Sequence, residues 1–162
     1  QEKLIFAQKA VGLNPSPFDS WLVSRGIKTM ALRMQKHQEN SLRIANYLED
    51  HNCFKNVRYP FLPTHPQYEL AKRQMTGGSG IITTELNLSF ENTIRFLKKL
   101  SLFTLAESLG GVESLICHPA SMTHAAIPKE MRLKIGITDT LIRFSVGIEN
   151  IEDLINDIEQ AL

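Results

Sequence analysis

The period of the apolar residues changes near residue 50, and that change limits what this chain can fold into. Before it, apolar side chains recur at helical spacing; beyond it, short strand-like and helix-like segments take turns. Ile82, Thr84, Leu86 and Leu88 alternate within one segment, and Ile142, Phe144 and Val146 within another. Asn56 to Tyr59 is a short strand that Pro60 and Pro63 bar from the centre of a sheet. Leu102 to Ala106 and Val112 to Cys117 add two extended pieces. Gln67 to Met75 reads as a helix ended by Gly77-Gly78-Ser79-Gly80. Ser89 caps another helix carrying Phe90, Ile94 and Leu97, and Asn150 caps a last one carrying Ile151, Leu154, Ile155, Ile158 and Leu162. The pattern predicts an α/β (α+β) fold: three to five strands, helices over one face of the sheet, the other face partly bare.

The helical part has a clear start. Ser16 can cap, Pro17 suits the first turn, and Asp19 stands where a capping-box acid would. From there Phe18, Leu22, Gly26, Met30, Met34, Leu42, Ala45 and Leu48 fall on or near one stripe, which predicts a single long helix over 18–49. Gly26 is its weak point, costing roughly 1 kcal/mol against alanine. A helix of this length can span two domains.

Bulk properties narrow the partners. At 162 residues the chain can bury a real core, and a net charge of +1 gives no reason to invoke nucleic acid or an anionic membrane surface. No apolar run approaches the ~18 residues needed to cross a bilayer, so no membrane partner is expected. Cys53 and Cys117 lie far apart with no Cys-x-x-Cys spacing, which reads as reduced structural thiols in a cytoplasmic protein. His65, His118 and His124 have no ligand-spaced partner, and no metal site is expected.

Arg143 is the best single candidate for chemistry. Alternation puts it with Leu141 and Ser145 on the face opposite Ile142 and Phe144. A mid-strand arginine there is solvated, salt-bridged or holding an anion, and its planar fork suits a carboxylate. Ser108-Leu109-Gly110-Gly111 follows an apolar strand, where a glycine pair lets backbone N–H groups approach a ligand or simply makes a turn. Glu107 beside it is exposed by that turn. Thr123 and His124 occupy a loop bounded by Pro119 and Pro128.

Taken together these segments resemble one family. Ser16-Pro17-Phe18-Asp19-Ser20-Trp21-Leu22, Arg25-Gly26-Ile27-Lys28-Thr29, Arg33-Met34 with His37 and Asn40, Tyr59-Pro60, His65-Pro66, Ser108-Leu109-Gly110-Gly111, Thr123-His124 and Leu141-Ile142-Arg143-Phe144-Ser145-Val146-Gly147 are similar, in this order, to the pyridoxal-phosphate-dependent transsulfuration enzymes, the cystathionine γ-lyase and γ-synthase group. The resemblance implies the small C-terminal domain of a fold-type I enzyme. Residues 1–50 would be the end of the large domain and the interdomain helix, and residues 51–162 the substrate-binding domain, with a mostly antiparallel sheet. It implies that Arg143 binds the substrate α-carboxylate with Ser108 and the Leu109 backbone, that Thr123 buttresses the arginine, and that Glu107 marks the γ-lyase and γ-synthase branches.

The resemblance also implies pyridoxal 5′-phosphate, held mainly by a large domain that would precede Gln1. The family's lysine lies in a Ser-x-Thr-Lys context, and no lysine here has that setting, so no catalytic residue is assigned and the chain alone is expected to be inactive. Implied partners are an amino-acid substrate, the cofactor-bearing domain, and further copies in a homotetramer. The activity would be cleavage of cystathionine to cysteine, 2-oxobutanoate and ammonia, or cystathionine formation from an activated homoserine and cysteine. The rival reading from the residues alone is a non-catalytic α/β module that binds a small anion or dimerises.

Overall fold

The architecture comes from a computed structural model describing residues 1–162. Its backbone forms two compact units, residues 1–32 and residues 33–162. The first holds α1 (Glu2–Val11), α2 (Pro17–Ile27) and the start of α3 (Met30–Asp50). The Ser16 hydroxyl accepts the Asp19 N–H at 3.1 Å and Pro17 fills the first turn, as the capping signal predicts. No side chain of α1 or α2 is buried, and Phe6, Leu13, Phe18, Trp21 and Val23 stand exposed.

The single helix expected over 18–49 is two. The break falls at Lys28 and Thr29, where the Thr29 N–H and hydroxyl both turn back onto the Gly26 carbonyl, at 3.3 and 3.4 Å. A three-residue turn thus replaces the four-residue helical bond, and helix-poor glycine and threonine lie at its ends. The weakness at Gly26 surfaces as a break two residues downstream.

The second unit is a five-stranded sheet in the order β1-β2-β5-β4-β3. Its strands are β1 (Phe54–Arg58), β2 (Ile81–Leu86), β3 (Thr104–Leu105), β4 (Leu115–Cys117) and β5 (Leu141–Ser145). All neighbours pair antiparallel except β3 with β4, which run parallel. Strand β5 is central, and in its register Arg143 lies between Thr83 of β2 and Cys117 of β4. Alternation holds along it: Ile142 and Phe144 are fully buried while Leu141 and Arg143 are half-buried.

Ile82, Leu86, Ile116, Ile142 and Phe144 make the inner face of the sheet. Against them pack Ile44 and Leu48 of α3, Phe96 and Leu97 of α5 (Phe90–Lys99), and Leu154 and Ile158 of α7 (Ile151–Ala161). Each such side chain contributes about 1.5–3 kcal/mol on burial. Helices α3, α5 and α7 thus cover one face, as the amphipathic patterns predict, and Ser89 and Asn150 cap the latter two. The buried stripe of α3 begins at His37, so this core draws on α3 as well as on residues 51–162. Helix α4 (Tyr68–Gln74) matches the helix read from sequence. Helix α6 (Lys129–Lys134) is an addition; with Arg132 as its one buried side chain it has no apolar stripe to announce it. Both cysteines are free, and no helix is long and apolar enough to cross a membrane.

Candidate functional site

The parallel pairing of β3 and β4 shapes the outer face. Parallel neighbours need a connection that travels the length of a strand and returns, commonly a dozen residues with a helix. Here residues 106–114 do it without any helix. The backbone groups of this short connection must find partners other than a helix ladder.

They find them on β5. Arg143 Nη2 donates to the Glu107 carbonyl at 2.9 Å and to the Ser108 carbonyl at 3.1 Å. The Gly110 N–H donates to Ser145 Oγ at 2.9 Å, and Gly110 itself takes φ 79°, a conformation that favours glycine. The outward face of β5 therefore holds this loop through two side chains that alternation had already set together.

The same contacts leave part of the guanidinium uncommitted. Arg143 Nε is buried and has no hydrogen-bond partner. An unmet donor on a charged group costs on the order of 1–3 kcal/mol or more. The acceptors that Arg143 does have are neutral backbone carbonyls. Glu107, Ser108 and Leu109 are all exposed at the rim.

Glu107, Ser108, Leu109 and Arg143 are thus brought together. Thr123 is not joined to them by a bond: its hydroxyl pairs with His124 Nδ1 at 2.8 Å. The loop carrying it leaves β4 at Cys117, the sheet neighbour of Arg143, and is pinned at its root. His118 Nδ1 meets Ser121 Oγ at 2.7 Å and its Nε2 meets the Asp139 carbonyl at 3.0 Å. Arg132 Nη2 donates to Asp139 Oδ1 at 3.1 Å, and Lys129 also pairs with that carboxylate. These two cations hold the Asp139 carboxyl below the usual carboxylate range, Lys129 more than Arg132.

Sequence reasoning missed Ser114 and Glu149, whose side chains bond to each other across 35 positions. No spacing rule could have found that pair.

The lysines bear on whether an imine-forming cofactor could be held here. All ten are exposed except Lys36, which is half-buried and pairs with Glu39. A lysine that carries a carbonyl cofactor is ordinarily desolvated to lower its pKa. The residues present do not fit that role.

A family profile described as Cys/Met metabolism PLP-dependent enzyme matches residues 1–162. A protein named cystathionine beta-lyase from Coxiella burnetii is 54% identical over 161 residues, which cover 99% of this chain and 42% of that protein. Cystathionine gamma-lyase of Dictyostelium discoideum is 54% identical over 160 residues, 99% of this chain and 41% of that one. Among solved structures, cystathionine gamma synthase from Xanthomonas oryzae pv. oryzae in complex with cystathionine superposes with a TM-score of 0.90 at 46% identity, covering 99% of this chain and 41% of that one. The chain spans about two-fifths of the length of the relatives it matches.

Proposed function

The chain belongs to the Cys/Met metabolism PLP-dependent enzyme family, and from that premise we propose that it is the substrate-carboxylate-binding part of a transsulfuration enzyme acting at a Cγ–S bond. The carrying observation is Arg143: Nη2 anchored on the Glu107 and Ser108 carbonyls, Nε buried without a partner, and no neutralising acid among its acceptors. Together these hold the guanidinium in place on neutral acceptors, an arrangement suited to pairing with a carboxylate.

In this reading Arg143 receives the substrate α-carboxylate. Ser108 Oγ and the Leu109 N–H supply further donors from the loop, and Thr123 steadies the arginine once its loop closes on the ligand. Glu107, at the exposed rim beside Ser108, faces the far end of the substrate and favours the γ-lyase or γ-synthase branch. The relatives' names divide between beta-lyase, gamma-lyase and gamma synthase, so this last assignment rests on Glu107 alone.

Pyridoxal phosphate, when bound, supplies the electron sink for a carbanion at the α-carbon. The surface position of the lysines supports a lysine and cradle outside residues 1–162, and hence no activity for these residues by themselves. The contribution of this part is orientation. Holding the carboxylate on Arg143 would fix how the α-carbon of the substrate is presented for reaction. The exposed apolar side chains of α1 and α2 fit a larger assembly, a homotetramer by family resemblance.

The test is ligand discrimination in the intact enzyme. Binding of an amino-acid substrate is compared with that of the amine lacking its carboxylate, in wild type and Arg143→Ala. The reading expects Arg143→Ala to lose roughly 2–4 kcal/mol for the amino acid and nothing for the amine. Equal loss for both ligands would overturn it.

A further inference from the structure

The loop over residues 107–114 is held at its first half by Arg143 and Ser145, and at its second half by a separate cluster. Glu149 Oε1 accepts the Ser114 N–H at 2.6 Å, and Oε2 accepts the Ser114 hydroxyl at 2.8 Å. The same hydroxyl oxygen accepts the Gly147 N–H at 2.8 Å, and the Ile148 N–H donates to the Val112 carbonyl at 3.0 Å. Ser114 is fully buried.

Helix α3 fastens the other side of this cluster. Asn40 Nδ2 donates to the Gly147 carbonyl at 3.1 Å and to the Glu149 carbonyl at 2.9 Å. His37 Nδ1 lies 2.6 Å from the Val146 carbonyl. Asn40 and His37 are both buried, so these bonds are shielded from competing water.

No cation pairs with the Glu149 carboxylate, which spends both oxygens on one loop residue. Two bonds from a charged acceptor to one serine are more than chain closure requires, since the Ile148 to Val112 backbone bond already joins the two segments. What the carboxylate adds is a fixed end for a loop that has no secondary structure of its own. With Ser114 immobile, the span back to Ser108 is short enough that the loop backbone takes its position from both ends.

We propose that Glu149 is a positioning residue of the carboxylate site: by clamping Ser114 against the end of β5, which Asn40 ties to α3, it sets the Glu107–Leu109 backbone where Arg143 can grip it and a ligand at once. This inference rests on the carboxylate reading above and extends it to groups that do not touch the ligand.

The experiment uses the intact enzyme, the same amino acid and amine, and three variants: Glu149→Gln, Ser114→Ala, and Glu149→Gln combined with Arg143→Ala. Gln keeps the shape of the glutamate but turns an N–H group towards a donor. Amino-acid affinity falls about tenfold in each single variant, amine affinity is unchanged, and amide hydrogen exchange rises across residues 107–114. In the combined variant Glu149→Gln adds nothing to the loss from Arg143→Ala, because both act on one contact. Should Glu149→Gln and Ser114→Ala leave amino-acid affinity intact, or weaken both ligands equally, while Arg143→Ala still discriminates, the positioning role is overturned and the carboxylate site stands. If Arg143→Ala fails to discriminate, the site reading falls and this inference with it.

Discussion

Arg143 donates through Nη2 to the backbone oxygen of Glu107 at 2.9 Å, although 36 positions separate the two residues. That bond fixes the guanidinium from one side. A lysine could reach the same carbonyl but would lose the second edge of the fork. Arg143→Lys in the intact enzyme is therefore expected to keep the fold and lose roughly tenfold or more in amino-acid affinity, the worth of about one charge-assisted bond. Calorimetric titration beside a thermal melt separates the two effects.

Asp157 of α7 is buried, and its carboxylate accepts three successive N–H groups, from Ser101, Leu102 and Phe103, at 2.8, 2.9 and 3.0 Å. The segment entering β3 hangs on that one side chain. Asp157→Ala leaves three donors without it and is expected to cost on the order of 3 kcal/mol, read from urea midpoints.

Gly147 has no room for a side chain. A methyl there would overlap the Val112 carbonyl oxygen and come within 2.8 Å of the Glu113 carbonyl carbon, both backbone atoms. Gly147→Ala should therefore destabilise the protein by about 1–3 kcal/mol and loosen residues 112–114. Hydrogen exchange at those amides against the rest of the sheet is the check.

Tyr59 is fully buried and donates its hydroxyl to the Ser79 carbonyl at 3.1 Å, and burial pushes its pKa up to about 12. The folded value lies above the unfolded one, so the contribution is complete below about pH 10 and disappears as pH rises towards 12. Alkaline unfolding followed by tyrosinate absorbance should begin in that window, and Tyr59→Phe should shift its onset upward.

Asp139 works in the other direction. Its folded pKa is depressed by Lys129 and then Arg132, so its contribution is present above the ordinary carboxylate range and lost as pH falls through the lowered value. Acid melts of Asp139→Asn and wild type should converge at low pH and diverge near neutrality.

The strands and capped helices were legible because each obeys a local rule. Alternation along Leu141–Ser145 set Arg143 and Ser145 on one face, and both hold the 106–114 loop. Ser16, Ser89 and Asn150 cap where their spacing predicts. The reading failed where a local preference competed with a longer pattern: the stripe through Phe18 and Met30 suggested one helix, and the turn at Thr29 ended it. It was silent where partners meet only in space. Ser114 with Glu149, and Asn40 with Gly147, are joined by the course of the chain around the sheet, and no window of sequence contains both members.

Because β5 is the middle strand, laddered on both sides, the backbone of Arg143 cannot shift without shearing the sheet, whereas Glu107 and Leu109 ride on a solvent-facing strap. The strand is set by its two ladders, and the loop by its bonds to Arg143, Ser145 and Glu149. Substitutions at the exposed side chains of Glu107 and Leu109 are therefore expected to cost the sheet beneath them little stability.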